Sequence, residues 1–300
     1  MKLSHVLVLL LGIVAISTGA SFFRLATEVP ALSKAAWRLI LAVLVLLPMC
    51  LAYAPWRYAL FQLLREQTMA VLLSGAALAL HFGLWVPSLD LTSVASSVIL
   101  VTLSPLIVGL VAPLTGEPVS WPMRAGVTLA VLGAVVLAVG DAELGGGRLL
   151  GDAMAFGGAV AAAGYFLVGR RVRATVALVP YITAVYGVAA VLLALIALST
   201  GAAMTGFDAR SWGLLVLLAL LPQLLGHSSF NWALAGLSAT FVTVATLGEP
   251  IGSTLLAWWW LGEAPPVGAL WGGALVLAGL AVAARAEARA QRTIPPAAER

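Results

Sequence analysis

Three polar residues recur at four-residue steps within one apolar run: Gln223, His227 and Asn231 in LALLPQLLGHSSFNWALAG. Positions i, i+4 and i+8 share a helix face, so the spacing predicts a stripe of hydrogen-bond donors and acceptors. Such a stripe suits a zwitterionic ligand, although Gln, His and Asn also serve as glue between membrane helices. His81 and Trp85 repeat the four-residue step, with Phe82 beside them, and read as an aromatic wall carrying one imidazole. Tyr165 is the large polar aromatic of a small-residue run, AFGGAVAAAGYF, and suits either a cavity wall or a membrane interface. Ser17 and Ser21, one turn apart, add hydroxyls that a substrate could contact. Glu249 stands deep in an apolar run immediately before Pro250. Proline lacks an amide hydrogen and frees the carbonyl four residues earlier, here near Thr246. Glu249 therefore reads either as a local partner for that carbonyl or as a carboxyl that takes up and releases a proton during function.

The chain offers these groups little catalytic company. The apolar runs contain no paired aspartates, no His-Glu-x-x-His and no Gly-x-Ser-x-Gly. A single cysteine, Cys50, forms no internal disulfide and argues against zinc or iron–sulfur sites. No metal and no cofactor is expected. Apolar residues make up 62% of the chain and charged residues 9%, against about a quarter charged in a soluble domain. Mean hydropathy is +1.07. The solvent of this chain is a lipid bilayer, and its net charge of +4 sits at segment ends, where it sets orientation rather than binding nucleic acid.

The elements that must position the polar residues are helices of bilayer length, roughly 17–25 residues. Ten are expected, near 3–23, 32–53, 68–88, 91–112, 120–140, 151–170, 177–199, 210–232, 237–261 and 266–285. The stretch 54–66 is amphipathic and should lie along the interface. The tail, 286–300, is polar, contains Pro-Pro and reads as cytoplasmic and disordered. Lys2 and the small residues Ser17–Ala20 mimic a signal peptide, but the apolar run is too long for one, so it is expected to stay as the first span.

The chain repeats itself about 145 residues apart. VILVTLSPLIVGLVAPLTGEP surrounds Ser104-Pro105, and VTVATLGEPIGSTLLAWWWLGEA surrounds Glu249-Pro250. Each run holds a mid-run proline and closes on Gly-Glu, at Gly116-Glu117 and Gly262-Glu263; the segments 126–137 and 272–283 also match. Pro105 and Pro250 are expected to kink their spans as hinges, and the Gly-Glu pairs to cap them. With the N-terminus inside, Arg24, Lys34, Arg38, Arg148 and Arg210 fall outside, and the other eleven of the sixteen Lys and Arg inside. Both termini should therefore be cytoplasmic. Each repeat, 3–140 and 151–285, holds an odd number of spans, so the second enters the membrane upside down. Inverted repeats can open one central site to either side in turn, which predicts a carrier. Arg38, beside Trp37 at the membrane edge, should snorkel, and Trp258, Trp259 and Trp260 should form an interfacial belt.

With these paired proline segments, the glycine-rich fifth and tenth spans and AAWRLILA early in span two, the chain resembles the drug/metabolite transporter superfamily over roughly residues 3–285, specifically its EamA-type ten-helix members. It looks most like the bacterial amino-acid exporters of the YddG type. The resemblance implies an all-α fold of ten helices in two inverted five-helix repeats, in a bacterial inner membrane. It also implies a cavity built mainly by spans 1, 3, 4, 6, 8 and 9. The expected cargo is an amino acid, aromatic or large and neutral, given Trp85, Tyr165, Phe230 and Trp232. Efflux of drugs or other metabolites is the alternative, with a membrane-embedded enzyme or lipid scramblase as the alternative of another class. The partners are the bilayer and a small-molecule substrate, and a monomer is compatible with the sequence.

Overall fold

A computed structural model describes residues 3–138, 146–262, 264 and 269–293, and among these every regular element is helical. The first repeat comprises α1 (Leu3–Leu25), α2 (Ala31–Ala52), α3 (Ala54–Glu66), α4 (Thr68–Leu91), α5 (Val94–Val101), α6 (Ser104–Val111) and α7 (Trp121–Ala138). The second comprises α8 (Gly146–Arg173), α9 (Leu178–Ser199), α10 (Ala209–Leu218), a π-helical segment (Ala219–His227), α11 (Ser228–Ala233), α12 (Ala239–Thr246), α13 (Glu249–Leu261) and α14 (Ala269–Thr293). Eight spans are long and apolar enough to cross a membrane unaided. The remaining two are α7, with its shorter apolar stretch, and the α12–α13 pair. The chain is a multi-pass membrane protein.

Spans four and nine are each two stacked half-helices. A serine caps the first half in both, Ser93 accepting from the Ser96 amide and Ser238 from the Phe241 amide. The break falls at Thr102-Leu103 and at Leu247-Gly248. Pro105 and Pro250 therefore sit in the first turn of the second half, α6 and α13, rather than kinking a continuous helix. That is the position where a missing amide hydrogen costs nothing. Gly116 and Gly262 then stop these spans in the left-handed region, at φ 87° and 70°, a conformation that favours glycine. This accounts for the glycine of each Gly-Glu pair; Glu263 lies outside the described residues.

Packing obeys the inversion. Helix α7 runs along α14 and α2 along α9, each pair joining equivalent elements. The α4–α8 contact has its counterpart in the contact of the π segment with α1, and α4–α9 in that of α2 with the π segment. Half-helix α5 meets α13 and α6 meets α12, so the broken spans cross antiparallel, first half against second. Between α7 and α14 the backbones nearly touch. A Cβ at Gly126 would come within 2.8 Å of the Ala283 nitrogen and one at Gly133 within 2.5 Å of the Val276 nitrogen. Without a hydrophobic drive between helices in lipid, such close approach is what holds them together.

The amphipathic α3 forms as expected, with Leu60 and Leu63 buried and Tyr58 and Phe61 exposed. The last helix does not end where the polar tail begins. It continues to Thr293, since the Ala-, Arg- and Glu-rich stretch favours helix and buried Glu287 docks on Ser238, accepting from its amide at 3.0 Å and its hydroxyl at 2.6 Å. The end of that tail, 294–300, lies outside the described residues.

Candidate functional site

The broken spans put two short-helix N-termini at mid-molecule, and the residues there, Ser104 on α6 and Glu249 on α13, line one cavity. His81 and Trp85 of α4, Tyr165 of α8 and His227 of the π segment line it as well. Ile16, Phe166 and Phe230 make apolar walls. The free space is about 30 Å³, room for little more than a water. The cavity is contracted: a ligand the size of an amino acid does not fit that space.

Each histidine has a defined place. His81 Nδ1 lies 2.9 Å from the Gly158 carbonyl; a carbonyl only accepts, so Nδ1 carries the hydrogen and Nε2 is left as the acceptor. The ring stacks on Trp85 at 5.9 Å and lies 6.2 Å from His227. Phe82, fully buried behind them, meets the His227 ring at 5.3 Å. Glu249 is 8% exposed, in the first turn of α13, where the helix dipole favours a carboxylate. Among the described residues its side chain makes no hydrogen bond to the Thr246 carbonyl, and the Thr246 hydroxyl turns back to Thr243 at 2.7 Å.

The predicted stripe on span eight is broken up. Pro222 interrupts the ordinary ladder, and the segment winds as a π-helix in which the Ser228 amide reaches back five residues to the Gln223 carbonyl. Four-residue steps no longer return to one face. His227 lines the cavity while Gln223 and Asn231 do not. Asn231 instead donates to the hydroxyls of Tyr165 and Tyr186, the latter at 3.2 Å, and to the His227 carbonyl at 2.8 Å. It is glue between spans six, seven and eight. Tyr165 is buried in this network rather than at an interface. Ser17 also stays out of the cavity: its hydroxyl bonds to the Ile13 carbonyl at 2.7 Å, and Ser253 donates to its carbonyl at 3.1 Å, which seals α1 against α13.

Arg38 is the largest departure from expectation. It does not snorkel. The side chain is 1% exposed, with Nε donating to Gln223 Oε1 at 2.7 Å and Nη2 to the Pro222 carbonyl at 3.2 Å. Its guanidinium stacks on Phe82 at 4.2 Å. Sequence alone placed it near a span end, and the inward turn depends on an acceptor that the π segment supplies from another repeat. Lys34, one turn earlier, is likewise buried and donates to the Phe23 carbonyl at 3.0 Å.

A relative from Streptantibioticus cattleyicolor, named "Probable terminal-alkyne amino-acid exporter", is 43% identical over 65 residues, which is 22% of this chain and 22% of the relative. The matched stretch thus spans about a fifth of that protein. A protein of known crystal structure, 23% identical, superposes on 95% of this chain and 99% of its own with a TM-score of 0.78, and so shares the fold. The model of the EamA-like transporter family matches residues 3–139 and again 149–285. The chain belongs to the EamA-like transporter family, within the drug/metabolite transporter superfamily.

Proposed function

We propose that this carrier exports amino acids, aromatic or large and neutral ones preferred, from the cytoplasm of a bacterial cell by alternating access. The observation that carries the reading is a cavity shared by both broken spans, in which Glu249 faces aromatic and histidine walls. Half-helix N-termini at the midplane are the usual receptors for anionic substrate groups in inverted-repeat transporters. Trp85, Phe166 and Phe230 match an apolar side chain, and Glu249 matches an ammonium group or a coupled proton. The name of the Streptantibioticus relative supports the same cargo class. Burial of Lys34 and Arg38 removes two of the cations counted on the outer side, which strengthens the assignment of both termini to the cytoplasm of an inner membrane.

The test is counterflow in proteoliposomes with a panel of labelled amino acids, with and without a pH gradient. Saturable exchange of phenylalanine or leucine is expected. No exchange of any amino acid sinks the reading, and exchange that ignores both pH and Glu249→Gln removes Glu249 as a coupling site.

A further inference from the structure

Among the described residues, five buried polar atoms at or near the cavity have no hydrogen-bond partner: Trp85 Nε1, His227 Nδ1, Arg38 Nη1, Gln223 Nε2 and Asn231 Oδ1. Buried polar groups are nearly always paired, so a cluster of orphans around one void is a signal that something else completes them. Their inventory is uneven. Trp85, Arg38 and Gln223 can only donate at these atoms, and a single one, on Asn231, can only accept. Two of them, Trp85 and His227, belong to the cavity wall itself.

The charges are uneven too. Arg38 is essentially fully buried and, among the described residues, has no carboxylate within 4 Å; the one ion pair found there joins Lys34 to Asp90 at 3.9 Å. A buried cation without a direct ion pair is costly; the hydrogen bonds to Gln223 and Pro222 hold it without neutralising it, and Glu249 acts on it only through space, beyond ion-pair distance. Its guanidinium lies one aromatic ring behind the cavity. Phe82 stacks on it at 4.2 Å and also meets His227, a wall residue, at 5.3 Å.

We infer that the site is built to receive an anion, with the carboxylate of the cargo taking the Trp85 and His227 nitrogens at the wall and the Arg38–Gln223 pair supplying the opposing charge. This deepens the amino-acid reading and rests on it only for the rest of the cargo. A carboxylate is acceptor-only and anionic, so it completes the orphaned donors and balances Arg38 together. Glu249 remains on hand for an ammonium group. Arg38 acts here as a charge-supplying residue, reaching the ligand directly once the contracted cavity opens and Phe82 shifts.

The experiment compares phenylalanine, phenylalaninamide and 3-phenylpropionate, by counterflow and by thermal stabilisation of the purified protein. Loss of a charge-assisted hydrogen bond is worth about 10- to 100-fold in affinity. The amide should therefore bind at least about tenfold more weakly than the acid, and 3-phenylpropionate should still stabilise the protein. Arg38→Gln should erase the preference for acid over amide, and Arg38→Lys should restore part of it. Trp85→Phe, which removes Nε1–H, should weaken the acid several-fold and the amide less, since the amide carbonyl accepts only a neutral hydrogen bond there; it also serves if the Arg38 variants do not fold. Amide carried as well as acid, or a preference that survives both Arg38→Gln and Trp85→Phe, overturns the inference while amino-acid transport stands. Stabilisation by 3-phenylpropionate without exchange of any amino acid keeps the anion site and sinks the amino-acid reading. No response to any of the three ligands ends both.

Discussion

Spans four and nine are the same device built twice. Each has a serine cap, a break after its first half, a proline in the first turn of the second half and a left-handed glycine at its end. They differ at the residue before the proline, Ser104 in one and Glu249 in the other, and both of these line the cavity. What the halves share is backbone mechanics, because an inverted repeat must be able to exchange conformations. What they do not share is charge at the point where the halves meet. The break itself does not require a carboxylate, since α6 begins on serine.

The contrast breaks most sharply at Glu249. Glu249→Gln keeps the shape of the break, and is expected to lower counterflow by about 100-fold, the scale of losing a buried charged interaction, while Ser104→Ala changes it little. Equal effects in the two variants would make the halves chemically equivalent. A second contrast sets the glycines of the α7–α14 seam against those that touch nothing. Gly133→Leu should lower stability by about 1–3 kcal/mol through overpacking against backbone, whereas Gly109→Leu, with nothing within 4 Å, should be silent in thermal unfolding. A third compares the glue with the wall. Asn231→Leu removes the amide that donates to the Tyr165 and Tyr186 hydroxyls and should cost about 1 kcal/mol, with little change in substrate preference; a changed preference would return Asn231 to the binding site.

The smallest effects are at the half-helix ends outside the bilayer. Burial raises the Glu117 carboxyl above its ordinary value of 4.5, although it accepts from the Ala239 amide at the start of α12. Its stabilising contribution is complete below that ordinary value and is lost as pH rises through the folded one. Asp208, which caps α10, is held below its ordinary 3.8 by the Ser211 hydroxyl and amide. Its contribution is present above 3.8 and is lost as pH falls through the folded value. Thermal midpoints measured against pH should flatten above pH 4.5 in Glu117→Gln and in the acid range in Asp208→Ala. Identical profiles in both variants would refute the opposite signs.

Part of the candidate cavity wall was readable along the chain. His81 and Trp85 lie on a regular helix, so their four-residue step carried directly into the wall, and Glu249 was marked by its proline. Gln223 and Asn231 were not, because the rule that placed them assumed ordinary helical winding and Pro222 had altered it. Glu117 was expected to cap its own span, yet it caps α12 of the other repeat.

The sequence by itself determined the solvent, the helices and their inversion, because hydropathy, prolines, glycines and span parity act locally or add along the chain. Only the tertiary structure decided which polar residues face the cavity and that Arg38 turns inward. Those outcomes depend on partners supplied from distant segments: the Pro222 carbonyl, the Gln223 side chain and the Phe82 ring. A buried cation is tolerable only where such partners converge, and no spacing along one helix announces that.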